Sequence, residues 1–321
     1  MLSLLNVLLS QKYEVCFLFS TFLNACFILT TDSSSPTASE IESLIFLLDD
    51  PDVYIRESVQ ERLQAIGEAA VPQLDQARSQ TQDEQLRENI TSVIYDITFD
   101  GFEQDFITLI EEGMDSVEQL ETGVLMLSRF DNPTLRLSGI KRGLDELANE
   151  IAPKIYEATS DRKKMLTLIQ FIYGQKQFKG CESDYLNPKH SYMHSVLAER
   201  TGIPLSLAFV LLFTARRLDL PFYGVNMPLH FLVKYVTADN EHILIDPFNN
   251  GGILSRAQCE MFLKKSGIKV YSQHFEATPP LSMLIRFIRN LVNGYEQQQK
   301  NEKAEDLGRL ILTIESLSYP F

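Results

Sequence analysis

From residue 40 onward, apolar positions recur every three or four residues, the spacing of an amphipathic helix with one face turned to a core. The pattern also repeats. Ile55-Arg56-Glu57 returns 31 residues later as Leu86-Arg87-Glu88, and Ile66 and Ile97 keep the same offset. Each unit reads as a short helix, a turn, and a second helix starting just before the arginine. Asp49-Asp50-Pro51-Asp52 supplies a turn and cap, Gly67 a stop, and Pro72 a first-turn position. Helical pairs of this length stack as an α-solenoid. Asp105 to Glu112 and Val117 to Arg129 continue as helices until Asn132-Pro133 breaks the pattern.

The periodicity then changes. Ser138 to Tyr173 reads as two more helices, Phe178 to Lys189 as a loop, and Ser191 to Arg200 as a further helix. Gly202 closes that helix, and Pro204 suits the first position of the next, which is apolar on nearly every face to about Leu218 and is therefore expected to be buried. Strands follow around Phe222–Val225, Phe231–Val236 and His242–Ile245. Gly251-Gly252 turns the chain into a short helix from Ser255, and Ser282–Gln297 and Lys303–Ser316 end the pattern as helices. A buried helix against an antiparallel sheet is an α+β arrangement. The expected division is an apolar extension and linker at 1–39, acidic helical repeats at 40–115, an α+β domain at 116–275 and a helical pair at 276–321.

Charge narrows the choice of partner. The chain carries 43 acidic and 29 basic residues, and 21 of the acidic but only 4 of the basic ones lie between Glu40 and Glu121. With no basic stripe to offset phosphates, nucleic acid is excluded as a partner, and a protein or peptide is expected. The four cysteines, Cys16, Cys26, Cys181 and Cys259, form no Cys-x-x-Cys pair and no zinc spacing, which suits a reducing compartment. Val15 to Thr30 is apolar but too short for a membrane span. Leu23-Asn24-Ala25-Cys26 loosely resembles a lipoprotein cleavage box. The expected location is the cytoplasm, with an envelope lipoprotein attached through Cys26 as the alternative.

The chemistry concentrates at His230 and Asp246. One strand begins with the histidine and the next ends in the aspartate, so adjacent antiparallel strands set them side by side. A carboxylate so placed orients an imidazole and stabilises its charged form. His190 and His194, four residues apart, are expected on one helix face, but neither a third ligand nor a general-base glutamate accompanies them, so no metal or cofactor is assigned. Arg216-Arg217 reads as a dipole partner at a helix C-terminus.

Several short motifs occur in one order: Tyr185-Leu186-Asn187-Pro188, Arg200-x-Gly202-Ile203-Pro204-Leu205-Ser206-Leu207, Tyr223-Gly224-Val225, Pro228-x-His230-Phe231-Leu232-Val233 and Ile245-Asp246-Pro247-Phe248. Together they resemble the SirB-type branch of the transglutaminase-like superfamily, which implies a papain-like fold. The N-terminal units resemble HEAT-like repeats, in which an arginine bonds back across an Asp-rich turn, and the last helices resemble the start of a tetratricopeptide-like array. Active members of the superfamily carry a nucleophilic cysteine at the start of the buried helix. The resemblance places Pro204 in that slot, where no nucleophile, acid or base is available. It also leads one to expect asparagine at His190 and glycine at Leu229.

Three arrangements follow from the missing cysteine. The domain is catalytically silent and binds a protein or peptide, with His230 and Asp246 a remnant dyad. Alternatively, Ser206 replaces the cysteine, although a two-residue shift along a helix turns a side chain by about 200°. In the third, Cys181 folds in from its loop. The first is the expected one, making the chain a non-enzyme; the runner-up is a cysteine- or serine-dependent amide hydrolase or acyltransferase.

Overall fold

A computed structural model describes residues 37–318. The apolar segment with Cys26 and its cleavage-like box lies outside the described residues. No described helix is long and apolar enough to cross a membrane. The chain divides into two compact units between Gln73 and Leu74.

In the first unit, helix Ala38–Leu47 packs on helix Val53–Ile66. Thr37 caps the first and Asp52 the second, each side chain accepting a backbone N–H in the opening turn. Arg56 Nη1 donates to the carbonyl of Asp50 at 2.5 Å. In the second unit, Arg87 Nη2 likewise donates to the carbonyl of Thr81 at 2.7 Å. Each arginine reaches back six residues over the turn into its own helix, closing carbonyls that the preceding segment leaves unpaired.

The second unit is α+β. Helix Glu84–Glu111 is continuous, with Phe99 and Phe106 buried along it, so the helix read from Asp105 is the end of a longer one. A helical Gly101 is tolerated there because packing of the flanking rings outweighs its propensity cost of about 1 kcal/mol. The same helix is tied to the C-terminal pair, Pro280–Gln297 and Asn301–Ser318. Tyr95 donates to the buried Asp306 carboxylate at 2.5 Å, and Lys303 Nζ lies 4.7 Å from the centre of the Tyr95 ring.

The centre is helix Pro204–Arg216, in which every residue from Pro204 to Ala215 is buried. Phe209 stacks on Phe213 and meets Phe287 of the C-terminal pair. A four-stranded antiparallel sheet packs against it. After a short parallel pair, β1 (Lys179–Gly180) and β2 (Thr201–Gly202), the sheet runs in sequence order: β3 (Phe222–Val225), β4 (Leu232–Val236), β5 (His242–Asp246) and β6 (Gly252–Leu254). Alternation decides what each face covers. Val233, Tyr235, Ile243 and Ile245 join the helical core, while Leu232 and Leu244 meet Cys259 and Leu263 of helix Arg256–Lys265 in a second, smaller cluster.

Candidate functional site

The pairing of β4 with β5 sets Val233 opposite Ile245. One step further along the ladder, the chain before β4 meets the end of β5, and this is where His230 and Asp246 come together. His230 Nε2 lies 2.8 Å from Asp246 Oδ1. The histidine does not open the strand as expected; it sits in a turn two residues earlier, its N–H bonded to the carbonyl of Met227. That turn contains Leu229 at φ +64°, a left-handed conformation unfavourable for leucine, with its side chain 65% exposed. Glycine would adopt this backbone freely.

Asp246 is held from four directions. Oδ1 accepts from His230 and from the N–H groups of Phe248 and Asn249, and Oδ2 accepts from Asn249 Nδ2 at 2.7 Å. Burial alone raises its pKa, but the bonds from His230 and Asn249 outweigh burial and bring it below the ordinary carboxylate value. The Asp246 bond occupies Nε2 of the imidazole, and Nδ1 bonds to no described group.

The other sequence candidates are engaged elsewhere. Ser206 is fully buried, accepts the Ile203 N–H at 3.0 Å and donates to the His190 carbonyl at 2.7 Å. It closes the N-terminus of the central helix, and His230 is not among its partners. Cys181 follows β1, with its N–H bonded to the Gly202 carbonyl. Its side chain is buried, and burial raises the thiol pKa, which disfavours thiolate. Pro204 is buried at the first position of the central helix.

The histidine pair does not share a helix. His190 ends a short turn at Pro188–His190, while His194 belongs to helix Met193–Glu199 and faces Asp131 at 3.3 Å. The intervening Ser191-Tyr192 breaks the helix expected from residue 191, so the four-residue spacing no longer sets the rings on one face. No group of three metal-binding side chains converges among the described residues. The two arginines do more than meet a helix dipole. Arg217 Nη1 and Nη2 grip the buried Glu121 carboxylate at 2.6 and 2.7 Å, and Arg216 Nη2 joins at 3.2 Å.

Phe248 and Tyr185 stood in the sequence motifs without a role, and Arg286 was not singled out at all. The Phe248 ring stands edge-on to His230, with centroids 6.3 Å apart, and 6.1 Å from the ring of Tyr185. It lies on Gly180, where a Cβ would meet its ring at 2.7 Å. Arg286, from the penultimate helix, donates to the side-chain oxygen of Asn226 and to the Met227 carbonyl, and covers the ring of Phe231 at 5.4 Å.

With this geometry in view, comparison with known proteins is informative. A family model described as Transglutaminase-like superfamily matches residues 139–289, a span that includes the central helix, β3 to β6 and the dyad. The chain carries a transglutaminase-like domain. A UPF0162 protein of Xylella fastidiosa (strain Temecula1) is 26% identical over 206 residues, covering 62% of this chain and 73% of that protein. A UPF0162 protein of Vibrio cholerae is 25% identical over 211 residues, 65% of this chain and 77% of that protein. F-box only protein 21 of Mus musculus is 34% identical over 140 residues, 41% of this chain but only 22% of that protein. No solved structure matches. Within the transglutaminase-like domain, the described thiols are both buried, and the central helix opens with proline.

Proposed function

We propose that the transglutaminase-like domain is catalytically silent and that the cleft beside His230 and Asp246 binds a protein or peptide. The observation that carries this reading is the occupancy of the nucleophile positions. Pro204 opens the central helix, the Ser206 hydroxyl is committed to the His190 carbonyl, and the Cys181 thiol is buried with a raised pKa. A base without a nucleophile performs no acyl transfer. Near the dyad, Tyr185, which meets Phe248, and Leu229, in the turn of His230, keep apolar surface exposed, and a strained backbone beside a rigid dyad is typical of ligand contacts.

The finer kinship follows the same motifs. The chain is read as a SirB-type member, with the helix pairs of 38–66 and 71–111 as HEAT-like units, supported by the matched Arg56 and Arg87 bonds. Its last two helices are read as a tetratricopeptide-like unit. The acidic surface of the N-terminal repeats favours a partner with basic groups, and a reducing cytoplasm suits two free described cysteines. The test is turnover of peptide-amide substrates by the full chain, His230→Ala and Cys181→Ala. The expected result is no release of ammonia or product above buffer. Turnover by the full chain that either substitution abolishes would establish the amide hydrolase or acyltransferase reading instead.

A further inference from the structure

Arg286 is a half-buried guanidinium with no counter-charge. Among the described residues no carboxylate lies within ion-pair distance of it, and its bonds go to two neutral oxygens, the Asn226 side chain and the Met227 carbonyl. Both bonds use Nη1, while Nη2 and Nε donate to no described group. Burial pulls the Arg286 pKa down, with Tyr185 opposing. Elsewhere in the unit the chain neutralises its buried arginines: Arg217 faces Glu121 and Asp145. A cation taken out of water without a partner is costly, so its retention here calls for an anion from outside the described structure.

Its position says which site that anion serves. The Met227 carbonyl accepts from both Arg286 Nη1 and the N–H of His230, so guanidinium and imidazole belong to the same turn. From His230 the contacts run to Phe248 and then to Tyr185. His230, Phe248 and Tyr185 thus form one run of contacts, joined to Arg286 through the Met227 carbonyl, with exposed Leu229 in the same turn.

We infer that Arg286 is the carboxylate-binding residue of this cleft, taking a peptide-borne carboxylate through the free edge of its guanidinium while Tyr185 and Leu229 contact the adjoining apolar side chain. A guanidinium presents paired donors in the spacing of a carboxylate's two oxygens. This inference rests on the cleft being a peptide site and adds the chemistry that it recognises.

The experiment uses the full chain and three fluorescein-labelled peptides: Ala-Ala-Phe with a free terminal carboxylate, its C-terminal amide, and the amide of Ala-Asp-Phe. Anisotropy should show at least one carboxylate peptide binding about tenfold or more tighter than the neutral amide, the order expected for one charge-assisted pair. Which of the two gains affinity tells a chain terminus from a side-chain carboxylate. Arg286→Met should erase the difference, and Arg286→Lys should restore part of it. If Arg286→Met fails to fold, loss of the preference of the unmodified chain in high salt supports the same conclusion. A neutral amide that binds as tightly as both carboxylate peptides overturns the inference and leaves the cleft a peptide site. Absence of binding by all three overturns the inference and the peptide-site reading together.

Discussion

Replacing Asp246 with alanine removes one carboxylate and unpairs four donors at once. Two of them, His230 Nε2 and the Phe248 N–H, are partly buried. The other two belong to Asn249, which is exposed and recovers bonds from water. Counting only the partly buried pair, at about 1–2 kcal/mol each, the loss should be on the order of 2–4 kcal/mol. Asp246→Asn keeps an acceptor for His230 but sets one amide donor against Asn249 Nδ2, so its cost should be about 1 kcal/mol. Urea unfolding at constant slope measures both. The pH dependence supplies a second check. The folded Asp246 pKa lies below its ordinary value of about 3.9, so its contribution is present above that pH and is lost as pH falls through the folded value. The gap between the parent chain and Asp246→Ala should therefore be full at pH 7 and shrink on acidification. A loss below about 0.5 kcal/mol at pH 7, or a gap that does not change with pH, would refute the view that a buried, ionised Asp246 organises the turn.

Other outcomes follow from the same contacts. Glu121→Ala should destabilise the fold by about 3–5 kcal/mol in urea, because it leaves Arg216 and Arg217 without their shared buried carboxylate. Gly180→Ala drives a Cβ into the Phe248 ring and carbonyl, so a loss of about 1–3 kcal/mol should be accompanied by altered near-ultraviolet circular dichroism. Cys181 and Cys259 should react slowly with iodoacetamide near neutral pH, since burial raises both thiols. A Pro204→Cys substitution at the helix N-terminus should react faster than either, and equal rates measured by mass spectrometry would mean that the cleft is closed at that point. Burial also holds the His190 pKa below its ordinary value. Its contribution to stability is thus present above about pH 6.5 and lost as pH falls through the folded value, so His190→Asn should flatten the decline in melting temperature between pH 7 and 5.

The central helix and strands β3 to β5 were legible because their apolar runs are strong: twelve successive buried positions follow Ile203, and β4 and β5 each carry four buried residues in a row between turn signals. β6 was not, since Gly252-Ile253-Leu254 is too short to show a period. The parallel pair β1 and β2 consists of two residues each and owes its existence to the helices around it. At the site, the meeting of His230 and Asp246 follows from strand order and is readable in one dimension. The left-handed turn at Leu229 is hinted at by the glycine that the family resemblance leads one to expect there, but leucine itself gives no such signal. Arg286 offered no signal, because an arginine on an amphipathic helix reads as solvent-facing until the partner surface is known. The same holds for Glu121, whose burial depends on two arginines 95 and 96 residues away.

The claim that the cleft binds without reacting is tested most directly by nuclear magnetic resonance on chain labelled at the imidazole carbons, which gives five histidine signals to follow. Assigned by His230→Ala and titrated with acetylated Ala-Ala-Phe bearing a free carboxylate, the His230 resonance should move on binding while the peptide stays intact over hours. Consumption of the peptide by the parent chain but not by His230→Ala would contradict the account, as would a titration in which His230 stays fixed.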